Sequence, residues 1–372
     1  MKPTPQQGYL LFADISGFTK YVAGTELQHS TEILKELLEL IVSHLRPVLI
    51  IAGVDGDAVL AYASDTKLTR GETLLETIEA AYVAFRDRLE AIRRRTTCTC
   101  RACRAVSSLD LKFMAHYGRF VAQRHAEGHE LTGLDVELVR QRHLKTQIGQ
   151  VTGWRGYALF TEASLAHMGV RPRGLRQQTE WHEYIGDVQT HTLNLQERYD
   201  ELTAARQLFI SAEDADATLF FDFSAPPPVV WEWLNDPEKR IRWQAGRIWN
   251  AADRPAGRTG AGARNHCTHG KDELMETVLD WRPFDYFTVE LVQAPMVARA
   301  TMQLEPLNGG AATRLRHSLK LRLLLPSFVT RPLASFAIKD LKLNQMYGAM
   351  DRLMTEDLNT TMPPPPPTDS TN

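Results

Sequence analysis

Short apolar runs alternate with stretches of helical spacing through the first half of the chain. Residues 9–13 (YLLFA) are continuously apolar, as a short buried strand would be. Residues 31–45 carry Ile33, Leu34, Leu37, Leu38, Ile41 and Leu45 three or four apart, with Ser30 or Thr31 as cap, which predicts an amphipathic helix. The β-branched runs 48–52 and 58–63 flank Asp55-Gly56, a turn dipeptide, and predict a hairpin. Helical spacing returns over 74–92 through Leu75, Ile78, Ala81, Tyr82, Phe85 and Leu89, and residues 109–117 (LDLKFMAHY) alternate as a strand. Strand, helix, hairpin, helix, strand is the order of a ferredoxin-like split-βαβ sheet with helices on one face.

A different rhythm follows. Residues 199–216 are charged and Ala-rich, as a helical connector would be. Beyond them come a strand (217–223), a helix with prolines in its first turn (226–234), and strands near 274–281, 286–292, 298–304 and 313–321. One long helical pattern spans 333–358. An antiparallel sheet wrapped around a long C-terminal helix is the economical packing. The expectation is therefore an α+β chain with domains at 1–198 and 217–360, a helical linker at 199–216 and a disordered Pro-rich tail at 361–372.

Composition narrows the function classes. At 372 residues and 43% hydrophobic content the chain can bury two ordinary cores. The 43 basic and 45 acidic side chains nearly cancel, so no global attraction to nucleic acid or an anionic membrane is expected. No run of about eighteen apolar residues and no signal-like N-terminus is evident, which predicts no membrane span and a cytoplasmic protein. The four cysteines, three of them within 98–103, do not form the framework of a secreted disulfide domain.

Candidate chemistry begins where the first strand ends. In a split-βαβ sheet the strand after the hairpin is expected to lie antiparallel between the other two, so that the first strand's exit and the third strand's entrance sit side by side. Asp14 stands at that exit and Asp57 at that entrance. Two neighbouring carboxylates repel unless a divalent cation neutralises them, and oxygen-only ligands suit Mg²⁺ or Mn²⁺.

The segments Phe12-Ala13-Asp14-Ile15-Ser16-Gly17-Phe18-Thr19 and Gly56-Asp57-Ala58-Val59, with the strand KFMAHYG at 112–118, resemble those of class III adenylate/guanylate cyclases over roughly residues 8–195. The resemblance implies metal ligation by Asp14, Asp57 and the Ile15 carbonyl, and phosphate approach by the Gly17-Phe18 backbone. It also implies a nucleoside triphosphate as partner and a site built across a homodimer. The family's purine-reading lysine falls on Gly53, and its asparagine and arginine fall on Glu137 and Gln141. A missing electrostatic donor costs on the order of a hundred- to thousandfold in rate. The expectation is a cyclase homologue without efficient turnover; the alternatives are an active cyclase of ATP or GTP and a non-catalytic interaction scaffold.

Two further features remain. Cys98, Cys100 and Cys103 are candidate Zn²⁺ ligands, completed by His125, His129, His143 or a second chain; redox reactivity and an incidental loop are the other readings. The stretch FDFSAPPPVVWEWLNDPEKRIRW at 221–243 resembles the START-like, polyketide-cyclase/dehydrase superfamily with its helix-grip fold. That resemblance implies a cavity for a hydrophobic small molecule, for which Trp243, Trp249, Trp281, Phe287, Met302, Phe336 and Met346 are candidate lining residues. No His/Asp/Glu constellation stands out in this half.

Overall fold

The computed structural model describes residues 4–64, 72–95, 100–125, 128–140, 148–149, 151–203, 208–244, 246–255, 257–269, 272–293, 296–322, 330–334 and 342–361. It is a mixed α/β chain of two compact units, Met1–Ala205 with Ala256–Arg258 and Arg206–Pro255 with Thr259–Asn372.

In the first unit, strand β1 (Gln6–Ser16) leads through helix α1 (Phe18–Gly24) into α2 (Leu27–Leu45). A hairpin follows, β2 (Ile50–Asp55) and β3 (Ala58–Ser64), then α3 (Glu72–Arg95), the short α4 (Arg101–Ala105), β4 (Asp110–His125), β5 (Gly128–Thr132) and α5 (Leu134–Arg140). The unit closes with β6 (Tyr157–Thr161), α6 (Glu162–Met168), β7 (Arg176–His182), β8 (Gly186–Asn194) and α7 (Leu195–Thr203). The strands order as β2-β3-β1-β4-β6-β8-β7, with β5 paired to the far half of β4. The strand between its neighbours is β1, antiparallel to β3 and β4, and not the strand after the hairpin. Its side chains explain this: Tyr9, Leu11, Ala13 and Ile15 join the core beneath α2 and α3, while Leu10 and Phe12 join a second core that includes Val136 and Val139 of α5. A strand buried on both faces belongs inside a sheet.

Local boundaries shift for identifiable reasons. Helix α2 begins at Leu27, four residues before the expected start, so Ser30 and Thr31 bond back to the Leu27 carbonyl from within the first turn. His116 lies in the sheet interior, on β4 between β1 and β6. Asp135 of α5 approaches its Nε2 at 3.1 Å and accepts the Arg119 amide at 2.7 Å. A Cβ on Gly118 would meet the Asp135 carboxyl at 2.5 Å, which accounts for the His-x-Gly spacing.

The second unit is an antiparallel sheet with helices. Strand β9 (Ala217–Phe223) is followed by α8 (Pro227–Asn235) and α9 (Pro237–Trp243), then β10 (Ile248–Asp253), β11 (Arg264–His269), β12 (Asp272–Arg282), β13 (Tyr286–Gln293), β14 (Met296–Leu307) and β15 (Ala312–Leu321). The order is β10-β11-β12-β13-β14-β15-β9, so the first strand pairs with the last. Helix α10 (Leu343–Thr361) buries Tyr347, Met350 and Met354, one stripe at helical spacing, in the core of this unit. The continuous helix expected over 333–358 is interrupted at Lys342, whose φ of 51° is left-handed. The expected tail at 361–372 lies almost wholly outside the described residues. Among the described residues no helix is long and apolar enough to cross a membrane.

Candidate functional site

The register of the first sheet builds a row of polar side chains across one face. Asp14 pairs with Ala58 on one side and Lys112 on the other, and Lys112 pairs in parallel with Tyr157. Opposed residues point to the same face, so Asp14, Lys112 and Tyr157 stand side by side on the face that Leu10 and Phe12 share. Asp57 directly precedes β3, and its carbonyl accepts the Ile15 amide at 3.0 Å. Asp14 and Asp57 are each only 8% exposed. Gly17 turns the chain out of β1 at φ 85°, where a Cβ would press on the Ser108 carbonyl at 2.7 Å. Phe18 follows and packs against the main core.

Burial and neighbouring charge act against each other in this row. Burial lowers the Lys112 pKa, and Asp14, Asp110 and Asp57 act in the opposite direction. The Tyr157 hydroxyl is raised, first by burial and then by the negative charge of Asp14 and Glu180. Glu180, on β7, is 8% exposed and opposes Val188, which packs on the same core as Leu10 and Phe12. Burial pushes its carboxyl up to about 7. Lys112 and Glu180 were not singled out from the sequence; Lys112 becomes visible only through register, and Glu180 arrives from a strand with no motif of its own.

This donor set fits a hard divalent ion. Asp14 and Asp57 would supply carboxylate oxygens, with the Ile15 carbonyl as the third candidate, and Lys112 would compete with the ion for the same carboxylates. Such an ion would neutralise the two carboxylates. Gly53 stands on β2 with open space where a Cβ would sit. Glu137 is exposed on α5 and accepts a bond from Arg140 at 3.4 Å, while Gln141 lies outside the described residues.

The cysteines assemble differently from the expectation. Cys98 and His143 lie outside the described residues. His125 pairs with Glu130 at 3.0 Å and His129 bonds the Tyr62 hydroxyl at 2.6 Å, both on or beside the β4–β5 ribbon. The histidine beside Cys100 and Cys103 is His29 of α2.

The second unit contains a cavity of about 410 Å³ between its sheet, α9 and α10. Trp243, Trp249, Phe287, Met302 and Met346 line it. Trp281 does not; it packs against Trp231, ring centroids 4.7 Å apart. Phe336 lies outside the described residues. The lining also carries polar groups that the sequence did not expose. Arg240 donates to both Glu276 oxygens at 2.7 and 2.9 Å, Asn265 donates to the same carboxylate at 2.7 Å, and the guanidinium stacks 3.4 Å from the Trp249 ring centroid. His317 and the Tyr347 hydroxyl share a 2.8 Å hydrogen bond. Burial holds the His317 pKa down at about 4, so the ring is neutral at pH 7.

Comparison with known proteins gives partial likenesses. The family model described as "Protein of unknown function (DUF2652)" matches residues 34–152. An uncharacterized protein of Mycobacterium tuberculosis is 32% identical over 112 residues, which are 30% of this chain and 50% of that protein. The chain thus spans about half the length of the curated relative it matches. Among solved structures, a bacterial light-regulated adenylyl cyclase is 12% identical with a TM-score of 0.39, over 52% of this chain and 54% of that one. The guanylyl cyclase Cya2 is 16% identical with a TM-score of 0.37, over 52% and 94%. The adenylyl cyclase CyaB from P. aeruginosa is 16% identical with a TM-score of 0.36, over 52% and 95%.

Proposed function

We propose that this chain is a two-part regulator: a class III cyclase-like unit that binds a divalent metal and a nucleoside triphosphate without efficient turnover, and a START-like unit that binds a hydrophobic small molecule. The observation that carries the first half is the buried row Asp14–Lys112–Tyr157 with Asp57 at its end, in the segments whose wording resembles the cyclase metal motifs. Gly53, which has no side chain at the purine-reading position, and glutamine at the arginine position argue against rapid chemistry. The second half is supported by a cavity within the usual ligand range, mostly apolar, with a few convergent polar groups. Occupancy of that cavity would bias metal or nucleotide binding, and both would operate in the cytoplasm.

The test is Mn²⁺ and nucleotide binding by calorimetry, with Asp57→Asn as control. Wild type should bind ATP or GTP in a Mn²⁺-dependent manner, and the variant should lose at least about tenfold in affinity. Absence of Mn²⁺-dependent binding in wild type would overturn the cyclase-like reading. Cyclic product that disappears in Asp57→Asn would instead identify an active cyclase. Mass spectrometry of the natively purified protein should reveal a co-purifying lipophile.

A further inference from the structure

We propose that His29, Cys100 and Cys103 form a zinc site that ties the start of α2 to the segment following α3. This is separate from the Asp14/Asp57 site and does not rest on the cyclase-like reading. Among the described residues, these three are the group whose ligand atoms all lie within 4.8 Å of one another. The Nδ1 atom of His29 is 3.2 Å from Cys100 Sγ and 3.8 Å from Cys103 Sγ. A tetrahedral Zn²⁺ with ordinary Zn–S and Zn–N bonds holds its ligand atoms roughly 3.5–3.8 Å apart. The two nitrogen–sulfur separations lie close to that range, although His29 and Cys100 are separated by 71 residues.

The surroundings hold that arrangement in place. The Cys103 amide donates to Cys100 Sγ at 3.3 Å, a contact that favours a negatively charged sulfur. Glu26, three residues before His29, accepts the amides of Arg101 at 3.1 Å and Ala102 at 3.0 Å, and the Tyr21 hydroxyl donates to the Ala102 carbonyl at 3.1 Å. The segment 100–103 is thus fastened against the α1–α2 corner by contacts that involve none of the ligand atoms. Glu32 lies 3.8 Å from His29 Nε2, on the side away from the sulfurs. At that distance the carboxylate adds favourable charge beside the ring and leaves Nδ1 facing the two sulfurs. Cys103 is buried while His29 and Cys100 are partly exposed, so an ion can enter from solvent and complete its coordination with water or an outside ligand. Two thiolates and an imidazole are a softer set than Mg²⁺ or Ca²⁺ accepts, which sets the class of ion.

The experiment uses the full chain, reduced and stripped of metal, titrated with Co²⁺ alone and then with Zn²⁺. Wild type should develop a thiolate-to-cobalt charge-transfer band that saturates at about one equivalent and is abolished by Zn²⁺. The band should be roughly halved in Cys100→Ser and in Cys103→Ser, since each thiolate contributes its own transition. His29→Ala should weaken Co²⁺ binding by about tenfold or more. No charge-transfer band in wild type would overturn the proposal, and that measurement does not depend on any variant folding. So would a band of full intensity in the Cys100→Ser/Cys103→Ser double variant.

Discussion

Replacing Glu276 by alanine would strand a buried guanidinium. Arg240 and Glu276 have side chains only 9% and 4% exposed, joined by two bonds of 2.7 and 2.9 Å. Burial alone would raise the Glu276 carboxyl, but Arg240 and then Asn265 outweigh it, so the net direction is down. Removing one partner of such a pair costs about 3–5 kcal/mol, because the remaining charge keeps its desolvation penalty without compensation. Loss of the acceptor for Asn265 contributes about 1 kcal/mol within that figure. For a unit of this size, 1 kcal/mol corresponds to about 2–4 °C, so the midpoint should fall by roughly 6–20 °C. Urea unfolding followed by tryptophan fluorescence reads this directly, since Trp249 stacks on the Arg240 guanidinium.

The control is the double variant Arg240→Met/Glu276→Leu. Replacing both charges by apolar side chains removes the desolvation penalty along with the attraction, so this variant should recover to within about 1–2 kcal/mol of wild type. Glu276 has its carboxyl held below the ordinary value, so the stability it supplies is present above about pH 4.3 and is lost as the pH falls through its own lower pKa. A cost below about 1 kcal/mol for Glu276→Ala, with no coupling in the cycle, would refute the claim that the pair is a desolvated structural unit. If the double variant is stable yet no longer retains a co-purifying lipophile, the pair also anchors the cavity's ligand.

Other expectations follow from the first unit. Glu180, with its carboxyl pushed up to about 7, stays protonated in the folded chain while the unfolded chain ionises near pH 4.3. Its contribution to stability is therefore complete below pH 4.3 and is lost as the pH rises to 7, by about 2–3 kcal/mol. Glu180→Gln should flatten that slope and be relatively stabilised at pH 8, by denaturant midpoints at pH 5 and 8; an unchanged slope would contradict the placement of this side chain. Gly118→Ala should cost about 1–3 kcal/mol, because the new methyl displaces the Asp135 carboxyl from His116 and from the Arg119 amide. A neutral result in thermal unfolding would show that Asp135 is free to move aside.

What could be read from the chain and what could not divide along a physical line. Local periodicity marks the apolar strands and the faces of α2, α3 and α10, because burial acts on residues two or four apart. The turn at Asp55-Gly56 likewise brings Asp57 to the head of β3 through chain connectivity alone. Start points are harder: α2 begins at Leu27 because Glu26, its cap position, is engaged with the amides of Arg101 and Ala102, a tertiary contact. In the second unit the α10 boundary depends on a left-handed Lys342 that no composition rule marks.

The same distinction governs the candidate sites. Asp14 and Asp57 were visible because each stands at the end of a readable strand, but Lys112 joins them only through the β1–β4 register, and Tyr157 through the parallel β4–β6 pairing. The Cys100/Cys103 spacing is local and legible, whereas its histidine had to be selected from twelve in the chain, and the candidates His125 and His129 are bonded elsewhere. A one-residue slip of β4 against β1 would turn Lys112 to the opposite face and leave Asp14 without its neighbouring cation. The apolar residues Met114 and Phe120, on one face, and Phe113 and Ala115, on the other, resist that slip because it would exchange two separate cores. The chemistry of the polar row is therefore held by packing on both sides of the sheet rather than by the acidic motif itself.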